Sequence, residues 1–131
     1  MSKITIVYHS GYGHTTNEAE AVAAGIRSMS GIDLAVLAIN AEGELTEADW
    51  ERLDASDTIV FGSPTYMGMA SWQFKRFADP SSKRWFSQAW KDKLAAGFTN
   101  SASMNGDKHS TLHYFITLAM QHGMLWASTG L

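Results

Sequence analysis

Residues Ser10-Gly11-Tyr12-Gly13-His14-Thr15-Thr16 carry the densest polar chemistry in the chain: two glycines, four hydroxyls and a histidine. They sit between a buried-looking apolar run and a helix-forming stretch. The first N–H groups of a helix lack partners within it, and with the helix dipole they attract an anion. Ser10, Thr15 and Thr16 add hydroxyl donors without net charge, which suits a phosphate monoester. A plain strand-to-helix turn needs one capping hydroxyl, and three exceed that need. A second segment, Ser63-Pro64-Thr65-Tyr66-Met67-Gly68-Met69, is stiffened by Pro64, while Gly68 would let the backbone approach a ligand closely. Its Tyr66, Met67 and Met69 offer flat or polarizable apolar surface for a planar ring. A third, Asn100-Ser101-Ala102-Ser103-Met104-Asn105-Gly106, is small and polar, long enough to wrap the polar edge of a heterocycle. Alone, the second reads equally as a packed turn and the third as a solvated loop. Together the three describe a phosphate cradle, a ring platform and a polar edge.

Other phosphate motifs fail on inspection. Gly11-Tyr12-Gly13 opens like a dinucleotide fingerprint, but Thr16 stands where the third glycine belongs, and Ile39-Asn40 offers no ribose-binding acid. There is no Gly-Lys-Ser/Thr. A phosphoacceptor receiver would need acids where this chain has His9-Ser10 and Gly62-Ser63. His109 and His113 have a zinc-compatible spacing but no evident third ligand, so no metal is expected. Trp85, in a Trp-rich connection, could stack on a substrate or simply pack.

Elements that alternate strand and helix must position these loops. Ile4 to Tyr8 is a β-branched apolar run suited to a strand buried on both faces. A helix from His14 to Met29 follows, with Ala19, Val22, Ala23 and Ile26 as its apolar stripe and Gly31 as its C-cap. Further strands are expected at Leu34–Ile39, Thr58–Phe61, Leu94–Thr99 and Met124–Ala127. Helices are expected from Thr46 to Leu53, from Ser71 to Ala78 with Pro80 as the stop, and from His109 to Gln121, plus one short helix within 81–92. This alternation implies a mostly parallel sheet covered on both faces. Ligands of such sheets bind outside the carboxyl ends of the strands, so the three loops should share one rim.

The bulk properties agree. The 131 residues, 45% of them apolar, suit one domain spanning 1–131. With no cysteine, disulfides, thiolate metal sites and cysteine nucleophiles are excluded. A net charge of −3 gives no nucleic-acid footprint, nor the strongly acidic surface of a carrier that docks on basic partners. No apolar run can span a membrane. The N-terminus reads as a strand rather than a signal peptide, so a cytoplasmic location is expected.

Four pieces in register resemble the flavodoxin-like NAD(P)H:quinone oxidoreductases of the tryptophan-repressor-binding-protein type: Tyr8 to Thr15, Gly62 to Gly68, Gly97 to Ser101, and Gln121-His122-Gly123-Met124. The resemblance implies an α/β fold, a flavodoxin-like doubly wound parallel five-stranded sheet in the order 2-1-3-4-5. A helix covering the fifth strand is expected beyond these residues. The resemblance also implies flavin mononucleotide (FMN) as cofactor, NAD(P)H as donor, a quinone-like acceptor and a homo-oligomer, dimer or tetramer. By position, Ser10, Gly11, Tyr12, Gly13, His14 and Thr15 would hold the phosphate. Pro64, Thr65, Tyr66, Met67 and Gly68 would lie along the ribityl chain and ring. Asn100, Ser101, Ala102, Ser103, Met104 and Asn105 would meet the ring's polar edge. His122 would stand near the flavin, with Tyr12 on the nicotinamide side and Trp85 on the substrate side. No protein side chain is expected to act as a catalytic nucleophile or base. Two departures weaken the quinone assignment: Tyr66-Met67-Gly68-Met69 replaces an Arg-Phe-Gly-Asn-like loop, and Ser101 to Asn105 lack a Gln-His pair. A one-electron flavodoxin-type carrier and a cofactor-free scaffold remain the alternatives.

Overall fold

The computed structural model describes residues 1–130. In chain order the elements are β1 (Ser2–Tyr8), α1 (His14–Arg27), β2 (Ile32–Ala38), α2 (Glu47–Asp54), β3 (Thr58–Tyr66), β4 (Met69–Ala70), α3 (Trp72–Ala78), a 3-10 turn (Asp79–Ser81), α4 (Ser82–Ser87), β5 (Leu94–Asn100), α5 (His109–Gln121) and β6 (Leu125–Trp126). The main sheet runs β2-β1-β3-β5-β6, all parallel, and β4 folds back antiparallel onto the end of β3. This is the doubly wound order 2-1-3-4-5 with one short hairpin strand inserted, so the expected fourth and fifth strands are β5 and β6.

Alternate side chains of each strand go to opposite faces, and two cores result. On one face Ile6, Tyr8, Val60 and Phe98 pack against Ala19 and Ala23 of α1, whose small side chains let the helix lie close. On the other, Val7, Ile59, Phe61 and Ala95 meet Trp50 and Leu53 of α2, Phe74 and Phe77 of α3, Phe115 and Leu118 of α5, and Trp90. The helix starts follow their chemistry. The Thr46 hydroxyl accepts from the Asp49 amide while the Asp49 carboxylate accepts from the Thr46 amide, a complete capping box. Ser71 caps α3 by accepting from the Phe74 amide.

Some boundaries differ from expectation. α1 stops at Arg27 with Ser28 as its cap, and Gly31 instead turns the chain into β2, its carbonyl accepting from the Ser2 amide at 3.1 Å. The β3 strand continues through Pro64 and Thr65 to Tyr66, because its far half pairs with β5 up to Pro64 opposite Asn100. What reads as a loop after Phe61 is therefore strand plus a two-residue hairpin turn. Trp90 lies outside α4, fully buried, its indole N–H donating to Asp54 at 2.8 Å. Among the described residues no helix is long and apolar enough to cross a membrane, and no group of three or more metal-ligating side chains converges.

Candidate functional site

The loops after β1, β3 and β5 meet at the carboxyl rim of the sheet, as parallel strand order requires. There they enclose a cavity of about 490 Å³, lined by Tyr12, His14, Thr15, Pro64, Thr65, Tyr66, Asn100, Ser101 and Ala102. That volume lies within the range of about 300–1,000 Å³ common to small-ligand pockets.

Its floor is the start of α1. Gly13 takes a left-handed conformation, φ 95°, which turns the chain into the helix. The Ser10 hydroxyl oxygen accepts from the Gly13 amide at 3.1 Å and the Thr16 amide at 3.3 Å, leaving its own proton free. The amides of Tyr12, His14 and Thr15 have no acceptor among the described residues. The cradle thus offers bare amides and one free hydroxyl at the positive end of a 14-residue helix. The Thr15 hydroxyl is not part of that offer: it is buried and donates to Asn100 Oδ1 at 3.2 Å. No lysine or arginine lines the cavity.

One wall is the β3–β4 hairpin. Tyr66 lies across Gly11, where a Cβ would fall 2.3 Å from the tyrosine oxygen, and its ring meets Tyr12 edge-on at 6.0 Å. Burial raises the Tyr66 pKa, with Tyr12 adding to the shift and the Gly11 amide opposing it. Met67 and Gly68 form the turn, both at positive φ (50° and 79°). Gly68 has open space around it, and its positive φ serves the turn geometry. Met67 points fully into solvent and does not line the cavity. Beneath the wall three threonine hydroxyls meet: Thr65 contacts Thr99 at 2.8 Å and Thr111 at 2.7 Å, tying β3, β5 and the first turn of α5 together.

The other wall is the loop after β5. The Lys108 ammonium donates to the Ser101 hydroxyl at 2.7 Å and the Ser103 carbonyl at 2.6 Å, with Asp107 beside it. Ser103, Met104 and Asn105 extend outward from this anchored base and are exposed.

The structure does not bring His122 or Trp85 to this cavity. The α5 helix starts at the rim and runs 13 residues away from it, about 20 Å at 1.5 Å per residue, and His122 caps its far end. There His122 and Trp85 line a separate cavity of about 300 Å³ with Tyr114 and Ser81. The Ser81 hydroxyl donates to the Ala78 carbonyl at 2.6 Å, so it accepts from His122 Nε2 at 2.8 Å. That fixes the tautomer and leaves Nδ1 as a buried acceptor without a partner. Burial lowers the His122 pKa, and its ring rests on Trp90 at 4.5 Å.

Residues 13–130 match the model of the NADPH-dependent FMN reductases. The chain belongs to that family. Membership assigns FMN as the cofactor and NAD(P)H as the electron donor. Flavodoxin FldP of Pseudomonas aeruginosa is 50% identical over 131 residues, all of this chain and 68% of that protein. An NAD(P)H dehydrogenase (quinone) of Trichlorobacter lovleyi is 33% identical, the alignment covering 95% of this chain and 70% of that protein. A solved structure of a flavodoxin, WrbA-like protein from Agrobacterium tumefaciens superposes with a TM-score of 0.92 at 58% identity, over 99% of this chain and 79% of that one.

The rim cavity fits the family's cofactor by its donor set. A phosphate monoester needs N–H and O–H donors, which the α1 cradle supplies. A flavin ring needs apolar surface and polar contacts at one edge, which Tyr12, Tyr66 and the Asn100–Ala102 corner present. Sequence reasoning missed Glu18, Thr111 and Lys108, which hydrogen-bond to the lining residues Asn100, Thr65 and Ser101. A charged residue inside a helix, a threonine in a first turn and a lysine at a helix start carry no local signal of such a role.

Proposed function

We propose that the protein is an FMN-dependent oxidoreductase that takes two electrons from NAD(P)H and passes them to a quinone-like acceptor. The observation that carries this reading is the rim cavity: a cation-free cradle of amides and hydroxyl below, with apolar side chains open to solvent above. When bound, FMN would supply the electron-transfer chemistry. Ser10 and the amides of Tyr12, His14 and Thr15 would hold its phosphate, the β3–β4 hairpin would flank the ring, and Asn100 to Asn105 would face the ring's polar edge. Tyr12, 84% exposed, would stand where a nicotinamide approaches. The test is an absorbance spectrum after adding FMN, followed by NADH and NADPH oxidation with a quinone. Failure to oxidise either donor with any quinone or dye sinks the reading.

In a homo-oligomer Trp85, half exposed and away from the cavity of its own chain, would face the flavin of a neighbouring copy, with buried His122 lining the same hollow. Sedimentation of the FMN-loaded protein as a monomer would remove that role. A second reading, a one-electron carrier of the flavodoxin type, is favoured by the likeness to Flavodoxin FldP. A redox titration separates the two: a half-reduced species that accumulates strongly points to the carrier. The location proposed is cytoplasmic.

A further inference from the structure

Asn100 ends β5, and it lines the rim cavity. Its amide is held from both sides. Oδ1 accepts from the Thr15 hydroxyl at 3.2 Å, and Nδ2 donates to Glu18 Oε2 at 3.0 Å. Thr15 and Glu18 are three residues apart on α1 and so share a face.

The two contacts differ in what they dictate. A hydroxyl both donates and accepts, so Thr15 would tolerate the amide either way round. An ionised carboxylate only accepts, so Glu18 demands the N–H₂ end. Glu18 therefore decides which way Asn100 lies. Two consequences reach the cavity. The single proton of Thr15 is committed to Asn100, so its hydroxyl has only lone pairs left. Asn100 keeps one N–H free. The corner between α1 and β5 thus has an amide donor to spare beside the bare amides of the cradle. Reversed, it would have a spare carbonyl lone pair instead, which repels the acceptor oxygens of a phosphate, a ribityl chain or a ring carbonyl.

Glu18 does this at a cost a purely structural residue would not incur. It is half-buried, burial raises its pKa against the opposing Asn100 hydrogen bond, and none of the six ion pairs among the described residues includes it. A neutral side chain would fill the same space without desolvating a charge.

We propose that Glu18 is a positioning residue that sets the donor polarity of the rim cavity by fixing the Asn100 amide. The proposal rests on the reading that this cavity holds FMN through its acceptor oxygens. Two variants test it, Glu18→Gln and Glu18→Ala. Both remove a negative charge, which by itself would tighten the binding of an anionic phosphate, so a loss of affinity reports the lost orientation. A glutamine amide both donates and accepts, so it would let Asn100 lie either way round, and Glu18→Gln should bind FMN more weakly than the wild type, measured by quenching of flavin fluorescence. Glu18→Ala should bind about five- to tenfold more weakly, the effect of one lost polar contact. Affinity equal to or above that of the wild type in both variants overturns the proposal. A readout without flavin stands beside it: the Asn100 side-chain amide in a ¹⁵N–¹H spectrum should show one proton protected from exchange in the wild type, and neither protected in Glu18→Ala. A spectrum indifferent to Glu18→Ala overturns the proposal even if FMN binds. If the wild type binds no FMN, the functional reading fails and the spectrum alone decides the orientation.

Discussion

Ser10 has two jobs at the residue scale, and they can be separated. Its oxygen accepts the Gly13 and Thr16 amides, which organises the turn, and its free proton faces the cradle. Ser10→Ala should cost about 1 kcal/mol of stability, as the loss of a capping contact does. It should also weaken FMN binding about tenfold by removing a donor to a charged group. Thermal denaturation and a flavin titration check the two effects independently. Thr15→Ala acts differently, since the Thr15 hydroxyl donates to Asn100 and not to a phosphate. With Glu18 still fixing the Asn100 amide, its effect on FMN affinity should be smaller than that of either Glu18→Ala or Ser10→Ala. His122 supplies a pH signature. Its folded pKa lies below the ordinary 6.5, because burial disfavours the imidazolium. The unfolded chain therefore takes up its proton first as pH falls. Stability is intact above about pH 6.5 and declines from there down to the folded-state value. His9 is buried, with its pKa shifted the same way, and adds to the slope. Melting curves from pH 8 to 5 should show the decline, and His122→Gln should flatten it.

At the scale of elements, the site depends on how closely β3, β5 and the hairpin are drawn together. Gly62 lies where β3 passes under the Phe98 ring: a Cβ there would sit 2.4 Å from the ring and 2.9 Å from Tyr8 Cβ. Gly62→Ala must push the ring or the strand, and about 1–3 kcal/mol of destabilisation is expected by chemical denaturation. The hairpin turn is the opposite case. Met67 holds a left-handed conformation that a side chain disfavours, at φ 50°, with no packing in return. Met67→Gly should stabilise the fold by up to about 1 kcal/mol. If it also leaves FMN affinity unchanged, Met67 has no part in holding the ring. The paired central residues at positive φ match the turn that suits the twist of a two-residue hairpin. That turn accounts for the positive φ of Gly68.

At the scale of the molecule, the rim cavity and the hollow beside His122 are built from different helices. The rim cavity joins α1 to the ends of β3 and β5, and the second joins α3, α4 and the far end of α5. A single chain cannot fold Trp85 and His122 onto its own rim, because the length of α5 stands between them. An assembly that places one copy's far end against another's rim would bring the half-exposed Trp85 to it. Trp85→Ala should then lower turnover with the acceptor while leaving FMN affinity of the isolated chain unaltered. An equal loss of both would place Trp85 in the fold rather than in the reaction.

Much of this was legible in the sequence. Apolar patterning and capping residues marked the five strands of the main sheet and the helices, but not β4, since burial of one face is a property of a short segment read by itself. Parallel winding then obliged the loops at Ser10–Thr16, Ser63–Met69 and Asn100–Gly106 to share an edge, whatever their detailed shape. The extent of β3 was not legible, because Ser63 to Tyr66 lack strand-like patterning and are held extended by β5 and β4. Nor was the committed proton of Thr15, whose partner Asn100 is 85 residues away, or the role of Glu18, 82 residues from the same amide. Such pairings depend on register and on the packing of α1 against β5, which only the closed sheet sets. The same holds for His122 and Trp85: the family resemblance suggested places beside the cofactor, and the rise of a helix set them away from the rim of their own chain. Sequence determined which surfaces had to be buried and which loops had to meet; tertiary structure decided which atoms face one another, because that is a matter of distance across the fold rather than along the chain.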